Sequence, residues 1–415
     1  MTDPVREQYE LYPYPPRDPR DEAKRLIQGS PSHILEINHY VFGGRRDFSA
    51  PFRALIAGGG TGDGTIMLAQ QLHDRRCPAE IVYLDLSEPS RKIAEARAAA
   101  RGLQNIKFFS GSLLDLPAMG LGGFDYIDCC GVLHHLPDPA AGLAILRSAL
   151  TEDGGMGLMV YGAFGRTGVY HLQEALSLLG ETEAPAVKLD LAKRLLKQLP
   201  PTNWLARNPF LSDHLKAGDA GIYDLLLHST DRAYSVGEFI RLIEGADLAV
   251  SALVEPWRYE PVNFISDGAV LKRLGNLDRW QRAAIAEQIT GNLKTHVAYV
   301  VPKERIARAV AQIDDSSMFP VLKDSGGADL AKGLKPGGSL TARADGLEVR
   351  LPLPRLAPPI LAAIDGKRSI DEVFATIAPE LRLLREDFDR DFAALFRVFN
   401  SVNRMFLQCG SVPSK

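Results

Sequence analysis

A chain of 415 residues exceeds one ordinary compact core, and the usual domain size of about 100 to 200 residues predicts two or three domains. Its 46% hydrophobic and 24% charged residues are those of a globular protein, which excludes a disordered or fibrous chain. With 48 Lys and Arg against 51 Asp and Glu the net charge is -3, so the basic footprint of nonspecific nucleic-acid binding is absent and only a local basic patch would serve such a partner.

In chain order, the first feature is a cluster of tyrosine and proline over residues 9–16, Tyr-Glu-Leu-Tyr-Pro-Tyr-Pro-Pro. Prolines fix φ and hold their predecessors extended, which predicts an arm and not a helix for the first 20 residues. From about residue 52 to 302 strands alternate with helices, the pattern of a parallel sheet covered on both faces. Strands are predicted at 53–57, 81–84, 106–110, 124–130 and 155–161, with helices at 65–73, 90–101 and 139–150 between them. After Tyr161 the alternation stops, and Leu172, Leu176 and Leu179, then Leu191, Leu195 and Leu199, predict a helical insertion that runs to about residue 233. Ser235 to Glu238 reads as an N-cap ahead of a helix at 239–244. A strand at 249–255, a helix at 277–293 and a strand at 296–301 then complete a sheet of about seven strands.

Beyond it, the Gly/Lys/Pro-rich residues 325–338 predict a linker or turn region. A strand at 347–351 and helices at 359–364, 370–377 and 386–406 predict a small α+β domain. The expected division is an N-terminal arm over 1–44, a core over 45–163 and 235–305, a helical insertion or lid over 164–234, and an accessory domain over 325–415. Cys77, Cys129, Cys130 and Cys409 form no CxxC spacing, which argues against a zinc site or a disulfide framework, so no metal is expected. Residues 1–25 have no apolar h-region, and no apolar run nears the roughly 20 residues that cross a bilayer. A cytoplasmic protein with no membrane partner is the expectation.

The strongest chemical signal is Gly58-Gly59-Gly60-Thr61-Gly62-Asp63-Gly64 between a strand and a helix start. Glycines there permit positive φ and let a ligand approach the backbone, while the helix N-terminus offers free N–H groups. One strand later Asp85 and Leu86 end an apolar run, and a carboxylate at that place can accept both hydrogen bonds of a ribose diol or cap the next helix. Then follow Ser110-Gly111-Ser112-Leu113-Leu114-Asp115 and Phe124-Asp125-Tyr126-Ile127-Asp128-Cys129-Cys130-Gly131-Val132-Leu133-His134-His135.

In order and spacing these four motifs resemble the class I, Rossmann-like S-adenosylmethionine-dependent methyltransferases. The resemblance implies a seven-stranded Rossmann-like sheet with S-adenosylmethionine as cofactor. By it Gly58, Gly59, Gly60 and Gly62 line the aminoacyl part, and Asp85 with Leu86 holds the ribose. Ser112 and Leu113 flank adenine, and Cys130 lies near the methionine end. Two positions depart from the family pattern. Ile56 stands where an acid usually precedes the glycines, so the amino group of the cofactor needs another acceptor, for which the segment Asn38-His39-Tyr40 is a candidate. Ser112 stands where an Asp is usual.

The run from Gln8 to Pro15 resembles the pre-core arm of a subset with a Pro-Tyr-Pro element, which puts Tyr14 over the transfer site or makes its tyrosines staples to the core. His134 and His135 suit a general base or a structural turn beside the pocket. Tyr161, Arg166 and Tyr170 follow the fifth strand, at the sheet edge where ligands bind, and are the acceptor-pocket candidates.

Residues 359–373 resemble the helix, Asp-Gly turn, helix of small winged-helix modules, which brings a protein or peptide acceptor into view beside a small molecule. The insertion suits a lid, an acceptor platform or a homodimer face. An NAD-dependent oxidoreductase shares the strand, glycine loop and distant acid, and a noncatalytic S-adenosylmethionine-binding protein would share the whole fold. The glycine loop departs from the GxGxxG register, which weighs against the first of these.

Overall fold

The computed structural model describes residues 4–180, 182–323 and 326–410. Seven strands form the main sheet: β1 Phe52–Ala57, β2 Ala79–Asp85, β3 Ile106–Ser110, β4 Phe124–Cys130, β5 Leu150–Tyr161, β6 Leu248–Leu253 and β7 Thr295–Pro302. They hydrogen-bond in the order β3-β2-β1-β4-β5-β7-β6, and the pairs from β3 to β5 are parallel. The order reverses between β1 and β4, so the crevice beyond the C-terminal ends of those two strands is the natural ligand position of an open α/β sheet. The central strands β1, β2 and β4 carry apolar runs buried on both faces, as with Ile81, Val82, Tyr83 and Leu84.

Local signals set the helices that cover the sheet. Ser87 accepts the Ser90 N–H ahead of helix Glu88–Ala100, and Asp138 accepts the Ala141 N–H ahead of Pro139–Ser148. Ser235 and Glu238 close a reciprocal capping box at the start of Val236–Gly245. The helix predicted to reach residue 150 stops at Ser148, because Leu150 already pairs with Phe124 at the start of β5.

The described chain divides into two compact units, the first Met1–His33, Phe48–Leu248 and Gly291–Val297, the second Ile34–Asp47, Ala249–Thr290 and Ala298–Lys415. In the first, the insertion builds its own core from helices Val169–Gly180, Pro185–Leu196 and Gly218–Leu226, where Leu172, Leu176, Leu189, Ile222 and Leu225 meet. The N-terminal arm departs from expectation, since Pro4–Leu11 is an α-helix. The proline restraint acts only on residues 12–16, while residues 5–11 carry no proline and are free to close a turn that ends with the Tyr12 N–H on the Gln8 carbonyl.

In the second unit helix Ile34–Val41 is buried along its whole length. Strand β8 Phe319–Leu322 pairs antiparallel with β11 Met405–Gln408, and β9 Ser339–Ala344 with β10 Leu347–Pro352 through an Asp345-Gly346 turn at positive φ. Phe388, Phe392, Leu395 and Phe399 on helix Arg385–Ser401 form the centre of its core with Ala357–Ala363 and Ile370–Leu381. That helix was expected to run to residue 406. It ends at Ser401 because Asn403 takes φ +58° and the chain turns into β11. The expected linker over 325–338 begins at Ser325, outside the described residues, and contains a packed helix, Gly327–Lys332. A Cβ on Gly327 would lie 2.0 Å from the Leu361 carbonyl oxygen, so this glycine serves close packing and not flexibility.

Candidate active site

At the switch point a cavity of about 670 Å³ opens within the first unit. Its first wall is backbone. Gly58, Gly60 and Gly62 hold φ of +80°, +50° and +101°, and a Cβ on Gly58 would meet Val132 Cγ2 at 2.1 Å. A Cβ on Gly59 would strike the Tyr83 ring at 2.2 Å, so the loop is pressed onto β2. Asp85 Oδ2 accepts the Gly60 N–H at 2.7 Å and Oδ1 the Ser87 N–H at 2.8 Å, which ties the acid to the loop and to Ser87, the residue that caps the next helix. Each carboxylate oxygen keeps a further lone pair for a diol. Burial raises the Asp85 pKa, against the N–H groups that lower it.

All nine residues expected to hold the cofactor, Gly58, Gly59, Gly60, Gly62, Asp85, Leu86, Ser112, Leu113 and Cys130, line this cavity. Ser112 spends its hydroxyl on capping a short turn by accepting the Leu114 N–H. A bare glycine loop, a carboxylate with free lone pairs and the apolar sides of Leu86, Leu113 and Leu136 fit the aminoacyl chain, diol and aromatic base of S-adenosylmethionine.

The second wall is built of side chains from separate segments. Tyr9 Oη donates to Asp224 Oδ1 at 2.9 Å and Tyr161 Oη to Asp224 Oδ2 at 3.1 Å, so one carboxylate collects two phenols. Burial pushes the pKa of Asp224 and of both tyrosines up. Tyr14 lines the cavity as well, and burial raises its phenol, with the charge of Asp224 adding to the effect. The Arg166 guanidinium lies 3.6 Å over the Tyr161 ring, bonds Asp231 at 3.0 Å and donates to the Tyr170 hydroxyl at 3.2 Å, which brings the three expected acceptor-pocket residues together. Of these only Tyr161 is on the cavity wall.

The two histidines behave differently. His135 faces the cavity and its Nδ1 lies 3.2 Å from the Thr230 carbonyl, a pure acceptor, so Nδ1 carries the proton and Nε2 is left as the basic nitrogen. Thr230 returns the contact by donating its hydroxyl to the His135 carbonyl at 2.8 Å. His134 is not on the wall. It packs 4.0 Å from the Tyr161 ring centre with no hydrogen-bond partner on either nitrogen among the described residues. Burial lowers the pKa of His134, His135 and His228. Ligand-type atoms of His134, His135 and Asp231 come within 4.8 Å of one another, and the positive charge beside Asp231 is the Arg166 guanidinium.

The arm is clamped over the glycine loop. Pro15 offers its carbonyl to the Thr61 hydroxyl at 2.7 Å, and Arg17 binds Asp63. Fully buried Arg97 joins Glu22 of the arm to Asp63 and the Thr61 carbonyl. Sequence reasoning missed Asp224, Thr230, Ser32 and Asp128, which also line the cavity. An Asp inside an apolar strand was the available signal for Asp128, since charged residues are seldom fully buried without a role. The segment Asn38-His39-Tyr40, the candidate acceptor of the amino group, belongs to the second unit, where the Asn38 side chain accepts the Arg46 N–H at 3.0 Å.

Residues 55–156 match a methyltransferase domain. The uncharacterized protein syc1184_c of Synechococcus sp. is 30% identical over 304 residues, 72% of this chain and 71% of that protein. A demethylmenaquinone methyltransferase of Thermus thermophilus is 32% identical over 136 residues, 32% of this chain and 59% of that enzyme. Among solved structures, PKMT2 from Rickettsia typhi gives a TM-score of 0.60 at 15% identity over 91% of this chain and 75% of that one. Its complex with AdoHcy gives 0.58 at 15% identity over 97% and 76%. At this identity the likeness is one of fold. No described helix is long and apolar enough to cross a membrane. Taken with the sheet order and the glycine loop, these matches show a methyltransferase domain over residues 55–156 on a sheet of the Rossmann-like methyltransferase fold, with S-adenosylmethionine as the cofactor.

Proposed function

We propose that the chain transfers the methyl group of S-adenosylmethionine to a nucleophile on a protein, a peptide or a small molecule, in the cytoplasm. The observation that carries this reading is that the glycine loop with Asp85 and the Tyr9–Asp224–Tyr161 group share one cavity, so a donor on the first wall meets an acceptor on the second. The cofactor supplies the reactivity, a methyl on a sulfonium open to in-line displacement. The chain supplies alignment and a dry site. Gly58, Gly59, Gly60 and Gly62 would hold the aminoacyl end, Asp85 and Leu86 the ribose, Ser112 and Leu113 the adenine, with Cys130 at the methionine end. Tyr14, on the clamped arm, excludes water. His135 Nε2 takes a proton from an acceptor that is not already nucleophilic, and its lowered pKa keeps it neutral and ready at pH 7. His134 backs Tyr161, and Arg166 with Tyr170 fixes the tilt of that ring, which presents the acceptor.

Incubating the full chain with isotopically labelled S-adenosylmethionine and a cell extract, then locating the label by mass spectrometry, tests the reading. A labelled protein, peptide or metabolite that disappears with Asp224→Ala supports it. Donor binding without label transfer to any component would leave a binding protein, and binding of NAD in place of the donor an oxidoreductase.

A further inference from the structure

One carboxylate on the cavity wall has no task in this scheme. Asp128 lies third from the end of β4, between Ile127 and Cys129, and is 1% exposed. Its Oδ2 accepts the Ser32 hydroxyl, while Oδ1 accepts no hydrogen bond, and no cationic side chain pairs with it among the described residues. Burial lifts its pKa to about 6, with Ser32 and the Cys130 N–H pulling the other way, so it is largely ionised at neutral pH. A buried carboxylate with no counter-charge is costly, and such a group is kept where a ligand brings the charge.

The register of the sheet indicates which part of the ligand that is. Ile56 on β1 and Asp128 on β4 are direct partners in a parallel pair, so they share a face of the sheet, and both line the cavity. Asp128 also lies against the glycine loop, since a Cβ on Gly64 would be 3.0 Å from its Oδ2. Asp85 ends β2, on the other side of β1, so the two acids flank the loop from opposite sides. S-adenosylmethionine carries two positive centres. Its ammonium has three N–H donors to fill an empty carboxylate lone pair, whereas its sulfonium has none.

We infer that Asp128 Oδ1 receives the α-ammonium of the cofactor, so that an acid on β4 does what an acid in the place of Ile56 would do on β1. Ser32 is its positioning residue, holding Oδ2 so that Oδ1 stays turned to the cavity. Tyr126 helps from the same strand by donating its hydroxyl to the Pro31 carbonyl at 2.6 Å, which fixes the segment that carries Ser32. This inference rests on the cavity being the donor site.

Three ligands separate the alternatives in calorimetric titrations of the full chain. S-adenosylmethionine has ammonium and sulfonium, S-adenosylhomocysteine has the ammonium alone, and 5′-methylthioadenosine has neither. Asp128→Asn, which keeps the size of the side chain, is expected to weaken the first two about 10- to 100-fold and to leave the third within about twofold, as the loss of one charge-assisted bond requires. Unaltered 5′-methylthioadenosine binding also shows that the variant is folded. Weakening of S-adenosylmethionine alone would assign Asp128 to the sulfonium and overturn the inference. Equal weakening of all three would make Asp128 a scaffold residue and overturn it too, as would no change in any. Wild-type chain that binds none of the three would instead refute the donor site itself.

Discussion

The two walls of the cavity are made in opposite ways. The wall proposed to hold the donor is a single run of backbone, Gly58 to Gly64, with the acid that ends β2 and a second acid near the end of β4 against it. The wall proposed to take the acceptor gathers Tyr9 from the arm, His135 from the turn after β4, Tyr161 from the end of β5 and Asp224 from the insertion. Asp224 is carried by helix Gly218–Leu226, whose Ile222, Leu225 and Leu226 belong to the insertion core. A wall of backbone is inherited with the fold and tolerates little change. A wall of side chains can be re-specified one segment at a time, which is how one sheet serves many acceptors.

The contrast is most sharply tested by adding a single methyl group to the donor wall. Gly58→Ala would force φ +80° on a residue with a Cβ and drive that atom into Val132. The left-handed strain and the overpacking together cost about 2 to 5 kcal/mol. Donor binding by calorimetry should fall below detection, with a lowered melting temperature. A variant that binds within threefold of wild type would show that the loop is not shaped by its glycines. The next largest effect is expected from Asp85→Ala, about 1 to 3 kcal/mol of lost affinity. S-adenosylmethionine and 5′-methylthioadenosine should weaken alike, because both carry the ribose. If only the former weakened, Asp85 would serve the aminoacyl end and the two acids would exchange roles.

The same contrast explains what could be read in the sequence. The donor wall is legible because its parts are contiguous: four glycines in one turn, one acid at a strand end, all within a regular βα alternation whose period fixes where the turns fall. The acceptor wall is not, because Asp224 lies 215 positions from Tyr9 and 63 from Tyr161, in a helical insertion with no period tied to the sheet. Tyr161 and Arg166 were within reach only because a strand end marks the crevice. The arm helix was hidden by the prolines that follow it, and β11 by a helix pattern that carries on in its apolar residues. Asp128 is a third case, since an acid inside an apolar strand was a signal left unread and the structure alone supplies its register with Ile56.

Acidity offers a smaller, cleaner contrast. On the donor wall burial raises carboxylates, Asp128 to about 6, while on the acceptor wall burial lowers His135. Below pH 6 Asp128 gains a proton and no longer attracts an ammonium, so S-adenosylhomocysteine affinity should fall about tenfold per pH unit relative to 5′-methylthioadenosine. At alkaline pH the amino group of the ligand loses its own proton, and the affinity should fall again. His135, whose pKa burial lowers, should hold turnover at saturating donor over more of the window from pH 7 to 6 than an ordinary imidazole would. A turnover that drops in that window while the ligand affinity ratio stays constant would put the titrating group on the acceptor wall.

The smallest change is the loss of one phenol. Tyr161→Phe removes the 3.1 Å hydrogen bond to Asp224 Oδ2 and keeps the ring that Arg166 covers. Asp224 then retains Tyr9 on Oδ1, so the carboxylate stays anchored by one phenol and the cost is that of one hydrogen bond, about 1 kcal/mol. If the walls act separately, that cost appears in the rate of transfer to the labelled acceptor, about a fivefold loss, with donor affinity within twofold. Tyr9→Phe should act similarly, and the double variant should lose more than the two single losses combined, because only then is a buried carboxylate left with no donor from either tyrosine. A donor affinity that fell in step with the rate would mean that the aromatic wall also grips the cofactor. The insertion would then determine both partners of the reaction.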